Sequence, residues 1–240
     1  LKLGVQEKYI INCLEGFLNQ EVDFPVEILI HDDASTDKTA EIINGYTEKY
    51  PHIIKPILQK ENQFSKGVKC IHSTFNFIRS VGKYIATCEG DDYWLDSLKL
   101  KKQVDFLENN ENYSLCSHDI YVGYWNDSQN LKTGLAILYR NLMADGLSAF
   151  GRLYKRSLTG NDYWLSRRYQ SKKAGTMTLS DVYRMYQKGI FIPTVSIMGR
   201  GSILRNMPKE VFDSPTGHKE HIFWSALHGN VYHMPEPMAQ

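Results

Sequence analysis

The sequence predicts an α/β fold, a mostly parallel sheet flanked by helices. Short apolar runs alternate with helical stripes through the first half of the 240 residues, the pattern of a parallel α/β sheet. Two of those runs, VEILI at 26–30 and YIAT at 84–87, are each followed by an acidic cluster, HDDASTD at 31–37 and CEGDDYW at 88–94. Ligands of open α/β sheets bind outside the carboxyl ends of the strands. Carboxylates gathered there repel each other unless a cation or an electropositive ligand sits among them. Two acidic strand ends therefore point to one site for a divalent metal and a nucleotide.

Each element follows from local pattern. Ile10, Leu14, Phe17 and Leu18 make a helical stripe over 7–20. Pro25 precedes the strand at 26–30. Ser35 or Thr36 can cap a helix running through Ala40, Ile43 and Tyr46. Residues 53–58 read as a strand interrupted by Pro56, which places it at an edge. Ile71, Phe75 and Ile78 mark a helix, 84–87 a strand, 98–108 a helix and 113–117 a strand. From Tyr121 the periodicity weakens, and 124–180 is rich in polar, Gly and aromatic residues. A helix at 179–187, a strand at 191–198, a helix at 222–228 and a strand at 231–233 complete the chain. Residues 1–120 read as a nucleotide-sugar-binding half and 121–240 as an acceptor-binding half of the same domain.

Composition excludes several classes. Lys and Arg number 28 against 27 Asp and Glu, so net charge gives no reason to expect nucleic acid as a partner. The four cysteines show no CxxC spacing, which argues against a zinc site or a disulfide framework and fits a reducing compartment. No apolar run approaches the roughly 20 residues that span a bilayer, and no secretory leader is visible. Fifteen Tyr, ten Phe and four Trp are common in sugar-binding proteins but not diagnostic.

The motifs carry specific chemistry. In an extended segment Glu89 and Asp91 share a face, and Mg²⁺ or Mn²⁺ takes one or two carboxylates, here from Glu89, Asp91 and Asp92, plus substrate phosphates. The bland alternative is a solvated acidic turn. Asp32 or Asp33 can accept from a uracil imide or a ribose hydroxyl, against a purely turn-forming role, while Asp37 suits a helix cap. In the loop KENQFSKG at 60–67, Asn62 and Lys66 can contact base or phosphates. GHKEHIFWSALHG at 217–229 places His218, Glu220 and His221 before an apolar helix, where Glu or neutral His can serve as general base or simply as polar caps. Trp94 can line an acceptor pocket or pack. Tyr124, Trp125, Tyr163 and Trp164 can stack on sugar rings or belong to the core.

EKYI at 7–10, LEGFLNQ at 14–20, VEILIHDDASTDKTAEII at 26–43, GKYIATCEGDDYW at 82–94 and LKLKKQVDFLENN at 98–110, with the weaker FIPTVSIMGR at 191–200, together resemble a family 2 glycosyltransferase with the GT-A (Rossmann-like) fold. In this order and spacing the motifs cover most of the chain. The resemblance implies inverting transfer of a sugar from a nucleotide-diphosphate-sugar, taken as a UDP-sugar, to an acceptor hydroxyl. It implies a bacterial cell-surface polysaccharide or glycolipid product, Mn²⁺ or Mg²⁺ as cofactor, and a saccharide or lipid-linked acceptor. It implies a cytoplasmic location, at or near the inner membrane face. By motif, Asp32 and Asp33 match the nucleoside-recognising pair, and Asp91 and Asp92 the metal–diphosphate segment.

Two departures stand out. Family members open with a full strand ending in a Thr-Tyr-Asn-like stretch, whereas LKLGVQ at 1–6 leaves that strand missing or replaced. The family's base is an Asp ahead of the last helix, where this sequence offers His218 or His221. Glu220 is the best surviving carboxylate, and Asp213 a weaker one. Against active transfer stands a non-catalytic module of the same fold that binds nucleotide or glycan. A nucleotidyltransferase would need a Gly-rich phosphate-gripping loop, and none is present.

Overall fold

The structure is a computed structural model that describes residues 6–121, 153–157, 162–166, 175–212 and 220–240. After a 3-10 turn at Gln6–Lys8, helix α1 (Ile10–Leu18) buries Ile10, Cys13, Leu14 and Gly16, a stripe of helical period. Strand β1 (Ile28–Asp32) begins where the Ile28 N–H reaches Ile53 O, 2.8 Å away. It lies two residues beyond the expected run and so takes His31 and Asp32 into the strand. Helix α2 (Thr39–Lys49) starts later than Ser35 or Thr36, because Ser35 is held in a turn by Asp32. Among the described residues strand β2 (Ile54–Leu58) pairs only with β1, in parallel, and Pro56 sits opposite Ile30, the edge position its missing N–H demands.

A π-helical segment at His72–Phe77 replaces the expected α-helix. Strand β3 (Tyr84–Ala86), helix α3 (Lys99–Asn109) and strand β4 (Tyr113–Ile120) follow, β4 running three residues longer than its sequence suggests. Strands β5 (Leu153–Ser157) and β6 (Asp162–Ser166) form an antiparallel hairpin. After β7 (Gly175–Met177), helix α4 (Leu179–Gln187) has the expected bounds, and a Thr178–Asp181 capping box fixes its start. The strand expected at 191–198 is corrected. Pro193 opens a 3-10 turn at Thr194–Ser196, and the strand β8 is Met198–Arg200. Helices α5 (Gly201–Leu204), α6 (Lys209–Phe212) and α7 (Glu220–His228) precede β9 (Asn230–Ala239), far longer than the three residues expected.

The strands form a five-stranded sheet ordered β3-β8-β4-β9-β7 and a separate parallel pair β1-β2. In the larger sheet β4 and β9 run parallel, and the other pairs are antiparallel. Strands from before and after residue 120 are interleaved in it, with β8 between β3 and β4 and with β9 and β7 beyond. Buried side chains stitch β4 to β9: His233 Nδ1 lies 3.0 Å from Ser117 Oγ and Nε2 2.8 Å from Asp119 Oδ1. Among the described residues no helix is long and apolar enough to cross a membrane.

Between the two sheets lies a cavity of about 1650 Å³ lined by residues of β1, β3 and α1. Among the described residues β1 pairs only with β2 and β3 only with β8, so each presents an open edge to it. Leu29 O, on that side of β1, accepts from the Asn76 side-chain amide at 3.1 Å instead of from a strand.

Candidate active site

The end of β1 builds the first half of the site. Asp32 is buried, and its carboxylate accepts from the Ser35 N–H at 3.1 Å and from the Ser35 hydroxyl. That tight turn puts Ala34 in the left-handed region at φ 61°, a conformation that costs a residue with a Cβ on the order of 1 kcal/mol. Asp33 points the other way, and its oxygens accept from the Gln63 and Phe64 N–H groups at 2.7 and 3.0 Å. Asn62 donates to Asp33 O at 2.9 Å and accepts from the Ser65 N–H. Lys66 pairs with Glu61. Each carboxylate oxygen has a second lone pair, so Asp32 and Asp33 keep capacity for a ligand while fastening the turn and the loop. Asp37 accepts from the Thr39 and Glu7 N–H groups; the Thr39 side chain most, then these N–H groups, hold its carboxyl below the usual range against the opposing effect of burial. Burial pushes the His31 imidazole down, against the opposing pull of Asp33 and Asp32, and its ring stacks on Phe75.

The end of β3 supplies the second half. The Asp92 N–H donates to Glu89 O at 3.1 Å and closes the Glu89–Asp92 turn. Two thiols brace the same carbonyl, with Cys13 Sγ at 3.6 Å and Cys88 Sγ at 3.4 Å. Asp91 is exposed and Asp92 half-buried. Burial, then the charges of Asp91 and Glu89, push the Asp92 carboxyl up to about 8. Mutual repulsion of this kind is what an added cation relieves. Among the described residues no three His, Cys, Asp or Glu side chains gather as a preformed metal cage. The donor set therefore fits a hard cation that draws its remaining ligands from substrate phosphate and water.

Trp94 is buried, edge-on to Phe17 with ring centroids 4.6 Å apart. The buried Lys99 ammonium lies 4.1 Å from the Trp94 ring centroid and donates to Gln103 Oε1 at 2.7 Å. Burial lowers the Lys99 pKa to about 7. Sequence reading missed this lysine, whose charged side chain carries no signal of burial.

The cavity brings Asp32, Asp33, Glu89, Asp91 and Trp94 together, while Asn62 and Lys66 adjoin it through the loop that Asp33 anchors. Glu220 and His221 are buried in the first turn of α7 and are not among the residues lining the cavity. His221 meets Phe77 edge-on. His218, Asp213, Tyr124 and Trp125 lie outside the described residues, as do the side chains of Tyr163 and Trp164. Phe64, an exposed aromatic at the cavity mouth, was also missed. Its only sequence signal was an apolar ring inside a polar loop.

Comparison with known proteins gives concordant results. The model of the family described as Glycosyl transferase family 2 matches residues 5–203. The chain is 42% identical over 146 residues to an uncharacterized protein of Mycobacterium tuberculosis (strain ATCC 25618 / H37Rv), a match covering 60% of this chain and 40% of that protein. The chain thus spans about two-fifths of the length of the first curated relatives it matches. It is 26% identical over 227 residues to the Escherichia coli protein named UDP-Glc:alpha-D-GlcNAc-diphosphoundecaprenol beta-1,3-glucosyltransferase WfaP, covering 87% of this chain and 84% of that one. Among solved structures it is similar in fold to S. aureus TarS 1-349 in complex with UDP. The TM-score is 0.59 at 17% identity, over 98% of this chain and 57% of that one.

Proposed function

We propose, from the premise that this chain belongs to glycosyl transferase family 2, that it moves a sugar from a UDP-sugar to an acceptor hydroxyl with inversion, in cell-surface polysaccharide or glycolipid synthesis. The observation that carries this reading is that the two acidic strand ends, Asp32–Asp33 and Glu89–Asp91, face one cavity. The name of the E. coli relative, a transferase from UDP-Glc to a lipid-diphosphate-linked sugar, and the UDP held by TarS support the donor and acceptor classes.

In this reading Asp32 and Asp33 accept from the nucleoside, with Asn62 and Lys66 fixing the loop against it. Asp91, with Glu89 and Asp92, would hold Mn²⁺ or Mg²⁺, which would supply neutralisation of the charge that develops on the leaving diphosphate. Glu220, with His221 and His218 beside it in sequence, takes the proton from the acceptor hydroxyl, and Trp94 backs the acceptor side of the acidic turn. The reaction runs on the cytoplasmic side, at or near the inner membrane face, a reading that the four free thiols support because such thiols stay reduced there. Residues up to 120 serve the donor and those after 120 the acceptor.

A second reading is a non-catalytic module that binds nucleotide, and the placement of Glu220 and His221 away from the cavity lining favours it. One experiment addresses both. Calorimetric titration of UDP with and without Mn²⁺ is expected to show metal-dependent binding that Asp91→Ala abolishes. Undiminished binding in that variant contradicts the metal–diphosphate role. Donor turnover in the same samples, absent in Glu220→Ala, supports the transferase, whereas binding without turnover in the native chain supports the module.

A further inference from the structure

We infer that Phe64 is the stacking platform for the nucleobase of the donor, an inference that rests on the nucleotide-sugar reading above. Phe64 is 53% exposed and lines the cavity mouth with His31, Asp32 and Asp33. Large apolar rings on loop tips are unremarkable when the loop is loose, but this one is fastened on both sides of the ring. The Phe64 N–H donates to Asp33 Oδ2 at 3.0 Å, and its carbonyl accepts from the Gly67 N–H at 3.0 Å. Gly67 has φ 97°, which turns the chain back sharply where a side chain would be strained. The Gln63 N–H donates to the other Asp33 oxygen, and the Lys66 and Val68 N–H groups both donate to Gln63 O at 3.1 Å.

The consequence is a half-exposed ring carried on a fastened backbone, beside two carboxylates that retain free lone pairs. A nucleobase offers the complement, a π-face for the ring and an N–H edge for a carboxylate. The His31 ring beside it is already stacked on Phe75 with centroids 4.3 Å apart. Phe64 makes no ring–ring contact among the described residues, which leaves it able to receive a ligand. Aromatic–base stacking tolerates any base, so Phe64 contributes affinity, and the carboxylates beside it select the base. The Asp33 latch then has a defined purpose, which is to couple the acidic end of β1 to the ring.

The test compares a ligand with a base to one without. UDP and inorganic pyrophosphate are titrated, each with Mn²⁺, into the native chain and into Phe64→Leu, Phe64→Ala and Phe64→Trp, with circular dichroism confirming folding. Phe64→Leu and Phe64→Ala are expected to weaken UDP about tenfold and leave pyrophosphate unchanged, while Phe64→Trp restores UDP. A UDP affinity in Phe64→Leu within about twofold of native overturns the inference. So does an equal loss for UDP and pyrophosphate, which marks a loop that has merely shifted. If the native chain binds no UDP, GDP or CDP, the nucleotide-sugar reading falls first and takes the stacking role with it. That outcome differs from binding that is indifferent to Phe64.

Discussion

At the residue scale, the chemistry of this site depends on what each charged group is hydrogen-bonded to. Asp32 and Asp33 were legible as site residues because two acidic residues after an apolar run are conspicuous in any sequence. What the sequence did not reveal is that their carboxylates also hold Ser35 and the Gln63–Phe64 backbone. Lys99 is the opposite case. It is 0% exposed, with the Trp94 face and Gln103 as neighbours, and its pKa falls to about 7 chiefly through burial, against the pull of Cys88 and Cys116. A base whose pKa is lower folded than unfolded makes the folded chain bind fewer protons between the two values. Stability should therefore rise with pH from about 7 towards 10.5, by up to about 1.4 kcal/mol per pH unit. Below 7 both states carry the proton and this contribution is flat. Urea unfolding across that range should show the rise in the native chain and lose it in Lys99→Met. An unchanged slope in the variant would assign the effect to other groups.

At the element scale, helices were read closely and strands less so. The bounds of α4 were predicted to the residue and those of α3 to within one, because apolar period and caps are local signals. The run at 26–30 shifted to Ile28–Asp32, and 191–198 became a 3-10 turn before a three-residue strand. Strand bounds are set by where a partner's N–H and C=O lie, which no single segment contains. Contacts between elements are equally invisible. α1 approaches the segment after the acidic turn so closely that a Cβ on Gly16 would lie 2.9 Å from Trp94 O and 3.0 Å from Trp94 N. Backbone atoms cannot rotate aside as a side-chain tip can. Gly16→Ala is expected to destabilise by about 1–3 kcal/mol through overpacking, even though alanine raises helix propensity. A thermal melt showing a gain in stability would mean that α1 does not sit this close.

At the scale of the whole molecule, the dominant feature is the cavity of about 1650 Å³ between β1 and β3. Protein interiors are packed like organic crystals, with few voids larger than a water molecule. Buried apolar residues such as Leu14, Ile28, Ile43 and Ile85 line this space, so its wall suits an apolar probe. The folded chain is expected to enhance the fluorescence of an apolar dye such as anilinonaphthalene sulfonate under native conditions, before any thermal transition. No enhancement until the chain unfolds would show that the gap closes in solution.

The sequence by itself determined the α/β class, the two acidic strand ends, the helices with strong period, and the resemblance that the family match bears out. These are encoded in short runs whose meaning does not depend on distant residues. Only the tertiary structure decided that, among the described residues, β1 and β3 belong to different sheets. It alone set the interleaved order β3-β8-β4-β9-β7, buried Lys99 beneath Trp94, and presented Phe64 at the cavity mouth. Strand neighbours, burial of a charge and exposure of a ring are properties of pairs of segments far apart in the chain. They come into existence only when those segments pack.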